Sequence, residues 1–144
     1  MADWYLGTMG FGYRDWQNVF YPAGCLGRDY LEYYSRIFNA VEMDTTFYGI
    51  PRRSTVERWA ASVPENFKFC AKTPRMITHE LSLERSAGLM KEFCDSLRPL
   101  ENKLGAILIQ LPPGFDISRR KSLATFLEDL PETALGIHIA VEFR

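Results

Sequence analysis

"VEMDTTFY", residues 41–48, runs from an apolar alternation into two acids, two threonines and two aromatics. Side chains along a strand point alternately to opposite faces, so Val41 and Met43 share one face and Glu42 and Asp44 the other. The first face is fit to pack under a helix. The second turns polar toward its carboxyl end. The same phase recurs downstream: in "FKFCAK" (67–72) Cys70 and Lys72 oppose Phe67, Phe69 and Ala71. In "GAILIQL" (105–111) Leu108 and Gln110 oppose Ile107, Ile109 and Leu111. In "GIHIAVEF" (136–143) and the Arg144 that follows, Ala140, Glu142 and Arg144 oppose Ile139, Val141 and Phe143. "WYLGT" (4–8) reads as an earlier strand.

Helical patterns lie between these runs. "RDYLEYYSRIF" (28–38) sets Tyr30, Tyr34, Ile37 and Phe38 on one stripe. Ser54-Thr55-Val56-Glu57 has the form of a capping box, opening a helix with an apolar face of Val56, Trp59 and Ala60 that Pro64 stops. Leu89, Met90, Phe93, Cys94 and Leu97 form the next stripe, ended by Pro99, and "SRRKSLATFLEDL" (118–130) supplies another amphipathic helix. The order is (βα)4β, a single α/β domain over 1–144 with a parallel sheet. Two architectures fit: an open doubly wound sheet of flavodoxin type, or the first half of a TIM-type (β/α)8 barrel, which needs about 250 residues. A final strand with no helix after it favours the incomplete barrel.

Parallel strands bring their carboxyl ends side by side. Glu42, Asp44, Lys72, Gln110, Glu142 and Arg144 are therefore expected to converge at one rim, where both architectures bind ligands. Ion pairs that merely order the rim are the competing reading for any one of them. Six polar groups in phase on four strands would be a costly way to fasten a core, so the set points to function.

Composition narrows the classes. The chain is 47% hydrophobic, 24% charged and 14% aromatic, with a formal net charge of −1. That describes a globular domain without a global field for nucleic acid or an anionic membrane. Cys25, Cys70 and Cys94 are widely spaced and expected to be reduced and buried. "MADWYLGTMG" carries neither a basic region nor a signal-length apolar run, and no stretch is long enough to span a membrane, so a cytoplasmic location is expected.

Gly7, Gly10 and Gly12 lack the spacing of a dinucleotide loop, and an aromatic segment follows them in place of a helix. That segment, with Phe11, Tyr13, Trp16, Phe20 and Tyr21, is expected to fold over the strands as a lid with its own small core. "KTPRMITH" (72–79) puts Lys72, Arg75 and His79 in the loop after the third strand, a set suited to a phosphate or carboxylate. His138 reads as structural, at the far end of its strand from the rim. Glu42, Asp44, His79 and Glu142 are ligand types of divalent metals, but no close pair such as HxxxH supports one, and no cofactor is assigned.

"GTMGFGYRDW" with "FYP" (7–22), "VEMDTTFYGIP" (41–51), "FKFCAKTPRMITH" (67–79), "ILIQLPPGF" (107–115) and "VEFR" (141–144) together resemble the YecE-like family, also called domain of unknown function 72. The resemblance covers essentially the whole chain. It implies a TIM-type barrel of which this chain is the amino-terminal portion, and it implies no particular reaction. One departure stands out: where such proteins usually read Gly-Thr-Ser-Gly, this one has Gly7-Thr8-Met9-Gly10, and Met9 offers no hydroxyl.

The expected function is an enzyme acting on a small anionic or phosphorylated metabolite. Lys72 and Glu142 would exchange protons, since opposed charges in a closed site shift one another. Arg75 and Arg144 would hold the anion, and Glu42, Asp44, Thr45, Tyr48, His79 and Gln110 would complete its binding set. A second reading is nucleic-acid binding, with Trp16 and Tyr48 stacking and Arg52, Arg53 and Arg75 on phosphates; the balanced charge counts against it. A third is a fragment inactive without its other half, self-associating through the open edges of its first and fifth strands.

Overall fold

The computed structural model describes residues 3–144, apart from the side chains of residues 131–133. Five strands form one sheet: β1 (Gly7–Met9), β2 (Ala40–Met43), β3 (Lys68–Lys72), β4 (Leu104–Gln110) and β5 (Ile139–Glu142). Their spatial order is β1-β2-β3-β4-β5, and every neighbouring pair is parallel. The flavodoxin-type order, in which the chain reverses direction across the sheet, is absent. Helices α1 (Tyr30–Tyr34), α2 (Arg53–Ala61), α3 (Ala87–Leu97) and α4 (Arg120–Thr133) fill the four crossovers.

Right-handed crossovers that always step the same way put their helices on one side of a sheet. Burial follows that rule. Val41, Met43, Phe69, Ala71, Ile107 and Ile109 are buried in one core with Val56 of α2, Met90 and Phe93 of α3 and Phe126 of α4. Ala40, Glu42, Cys70, Lys72, Ala106 and Leu108, on the other face, are half-buried, and Ala140 is exposed. The alternation read from the sequence thus holds through β4; on β5 Ile139 and Val141 are only half-buried, and Phe143, expected on the covered face, is 65% exposed.

Two glycines permit the close approaches. A Cβ on Gly7 would lie 1.9 Å from the Ala40 carbonyl oxygen, so only glycine lets β1 lie against β2. Gly105 sits where the β3–β4 register slips, between the Phe69–Leu104 and Cys70–Ala106 pairs. The extra residue is a bulge that sets the phase of β4.

Local details depart from the sequence reading. Helix α1 is shorter than 28–38, so Ile37 lies 59% exposed instead of in the stripe. The Ser54–Glu57 capping box does not form: α2 starts two residues earlier than that box requires, with Arg52 at the N-cap and no side-chain cap. Glu57 pairs instead with Arg53 at 2.9 Å, one turn back on the same helix. The cysteines are free, but only Cys94 is fully buried; Cys25 and Cys70 are half-buried. The loop after β3 contains a single π-helical turn, Met76–Glu80.

The aromatic segment is corrected in part. Phe20 and Tyr21 pack against α1 on the helical side with Trp16 upon them, while Phe11 and Tyr13 stay at the carboxyl ends of β1 and β2, beside Asp44. Tyr21 stacks flat on Tyr30 at 3.9 Å, and Phe20 meets Tyr33, Tyr34 and Phe38. Tyr34 ties this cluster to the sheet: its hydroxyl donates to Ala40 O at 3.1 Å and accepts from Thr8 N at 2.7 Å. Aromatic area finds its burial where an apolar helix offers it, and the polar rim does not.

Candidate functional site

The carboxyl ends of β2, β3, β4 and β5 carry the polar set. The ladders stagger it. Glu42 stands opposite Cys70, Lys72 opposite Leu108, Leu108 opposite Ala140, and Gln110 opposite Glu142. Through Cys70, Glu42 is level with Ala106 and so lies four residues below the Gln110–Glu142 pair, not level with it. Its carboxyl still feels Lys72, Glu142, Asp44 and Arg144, so the groups share one field across the uncovered face.

The two glutamates differ in surroundings. Burial is the largest influence on Glu42 and raises its carboxyl above the ordinary range; Lys72 pulls the other way, and Glu142 and Asp44 add to the rise. Glu142 is held low. Its Oε1 accepts from Arg144 Nε at 2.9 Å and its Oε2 from Gln110 Nε2 at 2.9 Å, and these two bonds dominate the shift. Beside Glu42, burial pushes the Cys70 thiol up to about 11, with help from the glutamate charge, so it is no thiolate nucleophile at neutral pH.

Lys72 is positioned by an aromatic ring. Its Nζ lies 4.6 Å above the centroid of Phe47, a cation–π contact. The turn carrying Phe47 is anchored by Thr46, whose buried hydroxyl lies 2.6 Å from Lys72 O and 2.8 Å from Met43 O. His79, on the π-helical turn, meets the same Phe47 ring edge-on at 5.1 Å. Its Nδ1 is 2.8 Å from the hydroxyl of Thr78, which is fully buried. Burial lowers the imidazole's pKa, and Lys72 and Arg75 lower it further. Lys72, Phe47, Thr78 and His79 thus form one unit.

Not every expected residue joins it. Asp44 and Thr45 line a separate small cleft of about 210 Å³ with Gly10, Phe11, Gly12 and Tyr13. Tyr48, 78% exposed, and Arg75 line a cleft of about 350 Å³ outside the rim, between the loops after β2 and β3, and Arg75 is paired with Glu80 at 3.2 Å. Of the residues named for a nucleic-acid reading, Trp16 packs on Tyr13 and Phe20, and Arg53 is paired with Glu57. His138 lines a groove of about 620 Å³ at the amino ends of the strands, away from the rim. Among the described residues, no group of three or more His, Cys, Asp or Glu side chains is arranged to hold a metal. No described helix is long and apolar enough to cross a membrane.

Sequence reasoning missed Phe47 and Thr78. Both lie in stretches it had singled out, and an aromatic or a hydroxyl placed just beyond a strand's carboxyl end was the available signal.

A family model described as "Protein of unknown function DUF72" matches residues 5–144. The chain belongs to the DUF72 family. YecE of Escherichia coli K12, a UPF0759 protein, is 36% identical over 115 residues, covering 79% of this chain and 42% of YecE. YunF of Bacillus subtilis strain 168, another UPF0759 protein, is 32% identical over 146 aligned positions, covering 97% and 50%. The crystal structure of a DUF72 family protein from Thermotoga maritima MSB8 superposes with a TM-score of 0.78 at 34% identity, covering 97% of this chain and 55% of that one. One from Enterococcus faecalis V583 gives 0.77 at 29% identity, covering 97% and 50%.

This DUF72 chain therefore spans about half the length of the relatives it matches. Its sheet is open at both edges, and both DUF72 structures superpose on 97% of the chain that carries it. Met9 stands opposite Glu42 on the uncovered face and is 53% exposed, so it borders the polar set.

Proposed function

We propose that the five strands are the first half of a (β/α)8 barrel and that the rim at their carboxyl ends binds a small anionic or phosphorylated metabolite for acid–base chemistry. Three observations support the barrel: sequential strand order, helices on one side only, and relatives about twice as long. The register supports it further. Strands of a barrel with about eight strands and a shear of about eight climb roughly one residue per strand, and alternate strands fill each layer. With that offset, Met9, Lys72 and Glu142 belong to one layer, Asp44 and Gln110 to another, and Glu42 and Leu108 to the layer beneath them. The ladder stagger becomes a set of level rings lining a mouth.

One observation carries the chemistry: two carboxyls in a single field are pushed in opposite directions. Glu42 is raised by burial, while Glu142 is held ionised by Arg144 and Gln110. Such a split is how one site runs acid and base roles together. Glu42 takes the proton-transfer role that the sequence reading gave to Glu142, and Glu142 becomes the group that holds Arg144 and Gln110 in place. Lys72 supplies the positive charge for the ligand's anion.

Thermal melting of the protein with a set of sugar phosphates, small carboxylates and inorganic phosphate tests this. A ligand that raises Tm for the parent and for Glu42→Gln, but not for Lys72→Met, supports the site. Equal shifts in all three proteins would overturn it.

A further inference from the structure

We propose that Thr78 fixes His79 as a neutral imidazole with its proton on Nε2, so that the rim presents an uncharged N–H donor beside the Lys72 ammonium to an oxyanion of the ligand. The donor role rests on the anion-binding reading above; the tautomer does not.

Thr78 is fully buried, and the hydrogen bond recorded for its Oγ1 is to His79 Nδ1 at 2.8 Å. A hydroxyl has one proton to donate, and a buried donor without an acceptor is costly. If Nδ1 carried the ring proton, it would donate to Oγ1 and leave the hydroxyl proton buried with no acceptor. If Nδ1 is bare, the hydroxyl donates to it and both groups are satisfied. The proton then sits on Nε2, which has no hydrogen-bond partner among the described residues. Adding a second proton would displace the Thr78 donation. It would also set an imidazolium in the field of two like charges, Lys72 and Arg75. Glu80, the last residue of this turn, is engaged by Arg75 at 3.2 Å. Phe47 contacts both groups: its ring and that of His79 are near perpendicular at 5.1 Å, and Lys72 Nζ lies over its face.

A preorganised neutral donor next to a fixed cation suits an oxygen that gains charge during reaction, such as an enolate or alkoxide oxygen. The donor gives up no proton in doing so.

The chain has two histidines, His79 and His138, so imidazole nitrogen NMR resolves them, with His138→Gln for assignment. At pH 7, His79 is expected as the Nε2-protonated tautomer. Thr78→Ser keeps that pattern, and Thr78→Val shifts it toward a mixture. An Nδ1-protonated ring in the parent protein, or a pattern unmoved by Thr78→Val while Thr78→Ser remains folded, overturns the lock. Titration with inorganic phosphate is expected to shift the His79 Nε2 proton together with the Lys72 Nζ signals. Shifts at Lys72 alone overturn the donor role and leave anion binding standing. No shift at either overturns the anion-binding reading, and the donor role with it, while the tautomer result stands separately.

Discussion

Gln110 and Glu142 stand directly opposite each other on β4 and β5, and the Gln110 amide donates to Glu142 Oε2 at 2.9 Å. With Arg144 on Oε1, both carboxylate oxygens of Glu142 are occupied. This one acid is pinned in its ionised form, and Glu42, four residues lower in the ladder, is not.

The pinning has a sign. A carboxyl whose folded pKa is depressed contributes stability above its unfolded value, about 4.3 for glutamate, and loses it as pH falls through the folded value. Replacing Gln110 with Leu and Arg144 with Ala moves the Glu142 titration up toward the ordinary range. Carboxyl NMR titration checks this, and an unmoved midpoint contradicts it.

Glu42 behaves oppositely. Its raised pKa means that ionisation costs folding energy at neutral pH, a cost absent below about pH 4, where folded and unfolded states both hold the proton. Glu42→Gln is therefore expected to raise Tm at pH 7 and to leave it near the parent's at pH 3.5. Melting curves at the two pH values decide the matter. A variant less stable at pH 7 would show Glu42 to be a structural ion-pair partner.

Lys103 is a buried lysine with a structural task. At the head of β4, its Nζ donates to Ala60 O at 2.8 Å and Val63 O at 3.0 Å, closing the carboxyl end of α2. Its further partner Glu65 is 90% exposed and adds little. Lys103→Met leaves two carbonyls short of a donor and is expected to cost about 1–3 kcal/mol in urea unfolding. Loss of less than about 0.5 kcal/mol would mean that water replaces the ammonium freely.

The sheet edges carry apolar side chains. Trp4 and Leu6, leading into β1, are 85% and 68% exposed, and Phe143, just past β5, is 65% exposed. Unpaired strands flanked by such groups invite pairing. The chain on its own is expected to self-associate in light scattering, with Leu6→Lys and Phe143→Lys shifting it toward monomer. A clean monomer at high concentration contradicts this.

Much of the fold was legible because a period of two is strict. Val41, Phe69, Ile107 and Val141 could be assigned to the helical face without knowing their neighbours, and parallel pairing followed from the helices between strands. Register was not legible. Alternation fixes a residue's face but not its rung, so Glu42 looked level with Glu142, and the Gly105 bulge left no mark on the pattern. The aromatic loop misled because burial drives it and any apolar surface will serve. Thr78 was hidden because its role depends on which atom of a buried hydroxyl's neighbour lacks a proton, which no spacing encodes.

The central claim is that the uncovered face ends in an anion site built on Lys72. Amide chemical-shift mapping of the isotope-labelled protein, titrated with inorganic phosphate and a small sugar phosphate, tests it most directly. The account predicts saturable shifts clustered at Glu42, Lys72, His79, Gln110 and Glu142, lost in Lys72→Met. Shifts centred on the groove between Leu83–Ala87 and α4, or identical maps for parent and variant, would contradict it.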